Sequence, residues 1–456
     1  MQRQAIHGVS AEQISVTGRI GESMADIFEL IAPCHFGLES AVKQEIYDLG
    51  YDVTGVDDGR VSFAGDAEAI VRANMQLRIA ERVLLKVGSF PAKSFEELYQ
   101  GTKALPWEEY LPKEARFWVT KASSVKSQLY SPSDIQSVMK KAMADRMAAH
   151  YYPGRSGTAL SRHNNISIGE VSSLHRDPAI GQSDIVGAGA SSASGFRLPE
   201  TGADYPVRVF LKKDVVTAAI DTTGESLHKR GYRRYKVAAP IAENLAAGLI
   251  ALTPWRPGRI LVDPFCGSGT FLIEAAMQSA NIAPGLTRAF TAQNWPEVIA
   301  PALWKEVREE LREEIDLSIP CDLQGYDIDR EAIYAARENA KLAGVQNLIH
   351  FQTRPVSELS HAKPYGFIIT NPPYGERLSH EEETQLREIY RSLGERYKVL
   401  NAWSMYVITS YKDAEKVMGL KSAKNRKIYN GMIQTHYYMF PGPKPGKDVD
   451  FRRGGI

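Results

Sequence analysis

The chain predicts an α/β protein whose C-terminal half is a doubly wound parallel sheet and whose N-terminal half is α+β. Three observations predict it. Short apolar runs, Ile260-Leu261-Val262 and Phe367-Ile368-Ile369-Thr370, have the length and composition of strands buried on both faces. Segments with apolar residues at helical spacing lie between them, which is the alternation of a parallel sheet covered on both sides. Upstream of residue 224, strand-like and helix-like segments alternate with hairpin turns instead.

At 456 residues the chain is too long for one ordinary core and predicts two or three domains. No apolar run is long enough to cross a membrane, and residues 1–23 lack the apolar core of a signal peptide. Cys34, Cys266 and Cys321 are too scattered for a disulfide framework or a zinc site, so a reducing, cytoplasmic setting is expected. Lys plus Arg number 55 and Asp plus Glu 54, a balance that excludes neither a nucleic acid nor a small-molecule substrate.

Taken in order, residues 1–23 read as a disordered leader. A first unit over 24–66 opens with a strand at 27–31. A helix follows, with Leu38, Val42, Ile46 and Leu49 on one face and Gly50 at its end, then a strand at 60–63 after the Asp58-Gly59 turn. A second unit over 67–223 has strands at 82–87 and 116–119 and a helix capped at Ser133 that runs to about His150. A hairpin of 207–211 with 215–220 closes it around Lys212-Lys213-Asp214. Residues 156–203, rich in Ser, Gly and Ala and without periodicity, read as a mobile insert.

The third unit, 224–440, begins with a helix over 241–252, the strand 260–262 and a helix from Thr270. A strand at 323–326 leads to a helix with Ile333, Ala336, Ala340 and Ala343 on one face. The strand 366–370 leads to a helix bearing Leu386, Ile389, Tyr390, Leu393 and Tyr397, and then to a strand at 406–409. Residues 441–456, rich in Pro and Gly, read as a loose tail.

Chemistry concentrates at the ends of these strands. Asp263-Pro264-Phe265-Cys266-Gly267-Ser268-Gly269-Thr270 removes side chains at Gly267 and Gly269, where backbone turns sharply and approaches a ligand. It is neither a P-loop nor a full Gly-x-Gly-x-x-Gly, and a plain strand-to-helix turn is the bland alternative. Asp327, in Gly325-Tyr326-Asp327-Ile328-Asp329, ends another strand. A carboxylate there accepts ribose hydroxyls and repels phosphate, which suits S-adenosyl-L-methionine; Asp329 is expected to cap the next helix.

Asn371-Pro372-Pro373-Tyr374 follows a third strand. An exocyclic base amine is a poor nucleophile because its lone pair is delocalised into the ring. The Asn371 amide oxygen and the Pro372 carbonyl can accept its two hydrogens, Pro372 and Pro373 hold the loop in one shape, and Tyr374 offers a stacking face. The pattern predicts methyl transfer to a base amine, with no metal. Cys266 is expected to pack rather than react.

These segments, 263–276, 325–329, 371–378 and 227–234, together resemble the THUMP-domain RNA guanine-N2 methyltransferases, with the closest likeness to the bacterial 23S rRNA branch (RlmL-like, YpsC-like). Leu-His-Lys-Arg-Gly-Tyr-Arg at 227–233 and Ala-Pro-Ile-Ala-Glu-Asn-Leu-Ala-Ala at 239–247 are its most specific parts. The resemblance implies a ferredoxin-like unit, a THUMP RNA-binding domain and a Rossmann-like methyltransferase domain. It also implies S-adenosyl-L-methionine as donor and a structured RNA, 23S rRNA, as acceptor. Where the family often carries an acidic residue after its third strand, this chain reads Phe351-Gln352-Thr353-Arg354-Pro355-Val356. Residues 156–197 have no counterpart.

Lys229, Arg230, Tyr232, Arg233 and Arg234 are expected to contact phosphates and stack on bases, against the alternative of a linker with internal ion pairs. Lys121, Lys126, Lys140 and Lys141 extend this expected basic face. Adenine-N6 transfer on DNA or RNA, guanine-N2 transfer on tRNA, and a non-catalytic RNA-binding role in ribosome assembly stay open as alternatives.

Overall fold

The computed structural model describes residues 26–153, 197–235, 240–374 and 380–444. The expected leader, nearly all of the expected insert and most of the tail lie outside them.

Seven strands of the N-terminal half form one sheet, ordered β2-β3-β1-β4-β7-β6-β5. They are β1 (Phe28–Pro33), β2 (Val53–Asp57), β3 (Arg60–Gly65), β4 (Leu84–Pro91), β5 (Arg116–Val125), β6 (Asp204–Lys212) and β7 (Val215–Asp221). Helices α1 (Glu39–Asp48), α2 (Ala67–Gln76), α3 (Phe95–Ala104) and α4 (Pro132–Tyr151) accompany them. β4 joins the two expected units, pairing antiparallel with β1 at Leu30↔Leu85 on one side and with β7 along its whole length on the other. The hairpin of β6 and β7 turns through Lys213 and Asp214, both at positive φ.

Local corrections have simple causes. The cap of α4 is Ser131 rather than Ser133, because Pro132 occupies the first helical turn where a missing N–H is tolerated. Strand β2 was not expected, since its residues are mostly exposed and give no apolar alternation. Of the residues read as a mobile insert, 197–203 are described, and here Leu198 is buried and Gly202 N–H donates to Glu114 O at 2.7 Å.

The C-terminal half holds a second seven-stranded sheet, ordered β10-β9-β8-β11-β12-β14-β13. Its parallel strands are β8 (Leu261–Asp263), β9 (Leu323–Asp327), β10 (Ile349–Thr353), β11 (Phe367–Thr370) and β12 (Ser404–Thr409). An antiparallel hairpin, β13 (Lys424–Asn430) and β14 (Ile433–Phe440), completes the edge. The helices are α5 (Glu243–Ala251), α6 (Thr270–Ser279), α7 (Pro301–Glu313), α8 (Arg330–Leu342), α9 (His380–Val399) and α10 (Ala414–Met418). The chain runs from β8 outward to β9 and β10, then returns to the other side of β8 as β11. That reversal is the switch point at which open α/β sheets form a crevice at their carboxyl edge.

The halves pack tightly. Leu38 and Ile79 lie so close to Gly248 of α5 that a Cβ there would meet Leu38 Cδ1 at 2.4 Å. Arg72 of α2 pairs with Glu310 of α7 at 2.6 Å. The linker supplies a buried polar clasp. Arg230 is 3% exposed, pairs with Glu274 of α6 at 3.3 Å and donates to the Leu227 and Arg78 carbonyls. Tyr232, also buried, donates to Glu274 at 3.0 Å. Arg233 pairs with Glu243 at 3.2 Å and donates to Thr270 Oγ1 at 3.0 Å.

This corrects the expected RNA contacts. Arg230 and Tyr232 are walled in by protein, and Arg233 is turned inward. The spacing of the basic residues could not distinguish a phosphate from Glu274 and Glu243 as their anionic partner. Lys229 and Arg234 remain exposed, Lys229 beside Glu225 at 3.0 Å.

Candidate active site

A cavity of about 650 Å³ opens at the carboxyl edge of the second sheet. The turns after β8, β9 and β11 bring to it Asp263, Pro264, Phe265, Cys266, Gly267, Ser268 and Thr270, then Asp327, Ile328 and Asp329, then Asn371, Pro372, Pro373 and Tyr374. Three sequence segments more than a hundred residues apart at their extremes thus share one wall. Gly269 is the one residue of the expected set that does not line it. It begins α6 at φ +83, and a Cβ would meet Phe351 and Ala336 at 3.0 and 3.1 Å. Its role is to let the turn close against α8 and β10.

Asp327 is held in place from both sides. Gly267 N–H donates to one carboxylate oxygen at 3.0 Å and Asp329 N–H to the other at 3.0 Å. A carboxylate has about four lone-pair sites, so two backbone donors leave acceptor capacity toward the cavity. Partial burial raises its pKa above the usual carboxylate range, against the lowering effect of those donors. Asp329 caps α8, accepting from Glu331 N–H at 2.9 Å, as its position predicts.

Asp263 is buried and its carboxyl is pushed up to about 7, chiefly by desolvation, with Asp327 adding repulsion. Thr370 Oγ1 donates to it at 2.6 Å and Phe265 N–H at 3.1 Å. Thr370 is a positioning residue not foreseen in the sequence. The signal was a hydroxyl ending an otherwise apolar strand. Burial raises the Cys266 thiol well above its ordinary value, and the side chain joins the core, in line with packing rather than reactivity.

Asn371 is half-buried, and its Oδ1 has no hydrogen-bond partner among the described residues. The acceptor capacity of this oxygen is therefore unspent at a residue that lines the cavity. The rest of the loop is braced. Tyr390 Oη donates to Pro373 O at 3.3 Å and shares a 2.6 Å hydrogen bond with Thr409, and Asn430 donates to Tyr374 Oη at 3.0 Å. Other lining residues, among them Val356 after β10 and Ile389 on α9, lacked any local signature. Ile328 is 75% exposed although apolar.

The residues fit an S-adenosyl-L-methionine site. The cavity has the size of a cofactor pocket, an acceptor carboxylate stands at the end of β9, and Asp263 faces the region with latent negative charge suited to a cationic donor.

A family model for the RMKL-like methyltransferase domain matches residues 230–439, one for the RlmL ferredoxin-like domain matches 29–84, and one for the THUMP domain matches 92–151. The putative RNA methyltransferase YpsC of Bacillus subtilis (strain 168) is 39% identical over 413 residues, which are 91% of this chain and 96% of YpsC. The ribosomal RNA large subunit methyltransferase K/L of Syntrophotalea carbinolica is 31% identical over 417 residues, 89% of this chain and 52% of that protein. The chain therefore spans about half the length of such K/L relatives. The solved structure of SMU.472, a putative methyltransferase complexed with SAH, is 38% identical with a TM-score of 0.77, covering 93% of this chain and 100% of that one. Since the match to YpsC runs nearly the full length of both chains, this protein belongs to the RMKL-like methyltransferase family with RlmL ferredoxin-like and THUMP domains, and it depends on S-adenosyl-L-methionine.

Proposed function

We propose that the protein methylates the exocyclic N2 amine of a guanine in structured RNA, 23S rRNA. The observation that carries the reading is the unpartnered amide oxygen of Asn371 beside the rigid Pro372-Pro373 turn at the cofactor cavity. The names of YpsC and the K/L relatives support RNA, and the latter supports the large ribosomal subunit. Lys229 and Arg234, both exposed, are available to its phosphates.

When bound, the cofactor supplies an electrophilic methyl on a sulfonium. Asp327 would accept the ribose hydroxyls, while Ile328 and Val356, which line the same cavity, would offer apolar walls to the adenine. Neither wall needs the acidic residue that this chain lacks after β10. Asn371 Oδ1 and the Pro372 carbonyl accept the two amine hydrogens, which localises the nitrogen lone pair and stabilises the positive charge that develops there. Tyr374, its hydroxyl fixed by Asn430, stacks on the base. The proton departs after transfer, so no strong base is required.

The test is single-turnover transfer of labelled methyl to ribosomal RNA from cells lacking the enzyme, with the product nucleoside identified by mass spectrometry. N2-methylguanosine is the expected product. N6-methyladenosine would overturn the guanine assignment, and transfer confined to tRNA would overturn the ribosomal one.

A further inference from the structure

The buried Arg230–Glu274 clasp leaves open which surface next to the cavity grips RNA. The register of the edge hairpin answers geometrically. Thr409, the last residue of β12, pairs with His436 of β14. The turn from Asn430 to Ile433 therefore projects beyond the carboxyl edge, the same edge that carries Asp327 and Asn371. Asn430 bonds the catalytic-loop Tyr374, which places the turn at the rim of the site.

This hairpin has the composition of a nucleic-acid contact. Residues 421–436 include Lys421, Lys424, Arg426 and Lys427 and no Asp or Glu. Met432 at the turn is 97% exposed and Tyr429 is 39% exposed, with the Lys427 ammonium 5.4 Å from its ring centroid. Lysines on an edge strand also discourage edge-to-edge pairing. That duty explains neither an almost fully exposed Met432 nor a side-chain bond from the turn into the catalytic loop. A cation beside an aromatic ring, next to an apolar tip, suits a phosphate and unstacked bases together.

We propose that the β13–β14 hairpin binds the RNA strand flanking the target nucleotide, with Lys427 on a phosphate and Tyr429 and Met432 against neighbouring bases. The proposal rests on the RNA reading above. Asn430 couples this grip to Tyr374, so strand binding and placement of the target base occur together.

The test compares Lys427→Ala, Tyr429→Ala and Met432→Ala in the full-length protein. The probe is deproteinised ribosomal RNA from cells lacking the enzyme, and binding is measured across a salt series. Lys427→Ala is expected to weaken binding and to reduce the slope of log K against log[salt] by about 0.7–0.9, the value for one phosphate contact. Tyr429→Ala and Met432→Ala are expected to weaken binding several-fold with the slope unchanged. Melting temperature and calorimetric S-adenosyl-L-methionine affinity should match wild type in all three. Unchanged RNA affinity and slope in a folded, cofactor-binding Lys427→Ala protein would overturn the proposal. So would variants that alter self-association instead of RNA binding. Wild-type transfer to RNA in the same preparation separates these outcomes from failure of the functional reading.

Discussion

Two polar clusters in this molecule read alike in sequence and differ in structure. The linker 229–235 and the loop 371–374 each combine polar side chains with tyrosine beside the catalytic domain. In the linker, all three guanidinium nitrogens of Arg230 are bonded inside the protein, to Glu274, Leu227 O and Arg78 O. In the loop, the backbone and Tyr374 are braced while Asn371 Oδ1 is left without a partner. The difference separates two uses of polarity. Groups that satisfy one another in the interior set the relation between domains. A group held on a braced loop at a cavity, with its own acceptor unspent, is available for chemistry. An unpaired atom alone is insufficient, since Trp304 Nε1 is also unpaired in the core.

The sharpest way to break the comparison is Arg230→Ala. Glu274 would remain as a buried charge without its partner, and such losses typically cost about 3–5 kcal/mol. A large fall in denaturation midpoint is expected. A stable variant with weakened RNA binding would restore the RNA-contact role. Asn371→Ala should behave in the opposite way, slowing single-turnover transfer ~10²–10³-fold because the lost contact strengthens in the transition state. Its melting temperature and cofactor affinity should stay near wild type, and a near-normal rate would remove Asn371 from the mechanism.

Asp327→Ala tests whether a residue with both oxygens bonded to backbone still serves a ligand. Loss of about 1–3 kcal/mol in S-adenosyl-L-methionine affinity by calorimetry is expected; unchanged affinity would make Asp327 purely a brace for the glycine turn. The smallest effect concerns Asp263. Its folded pKa of about 7 lies above the ordinary carboxylate value, so between about pH 4 and 7 the native state binds more protons than the unfolded one. This group's contribution therefore favours folding at low pH and fades as pH rises toward 7. Asp263→Asn, which preserves an acceptor for Thr370, should flatten the melting temperature against pH across that window. An unaltered profile would mean that Asp263 is ionised throughout.

Much of the second sheet was legible because its strands are continuous apolar runs whose burial on both faces leaves no other reading. The first three site loops were legible because glycine, carboxylate and Asn-Pro-Pro-Tyr sit directly at strand ends. Strand β10 and α7 received no strand or helix assignment of their own. Strand β13 was invisible because its basic, mostly exposed residues resemble loop, and the place of the hairpin at the sheet edge is fixed by pairing of β14 with β12.

The sequence alone determined local matters: that the apolar runs at 260–262 and 367–370 are strands, where backbone turns sharply at Gly267 and Gly269, that Asp329 caps α8, and which side chains have the chemistry for a base amine. These follow from forces acting within a few residues. Only the tertiary structure decided which partner each polar group meets. Whether Arg230 faces phosphate or Glu274, whether Thr370 reaches Asp263, and whether Asn430 touches Tyr374 depend on contacts 44, 107 and 56 residues apart. Charge patterns record that a counter-charge or hydrogen-bond partner is needed. Packing of the whole chain determines whether it comes from the protein or from the substrate.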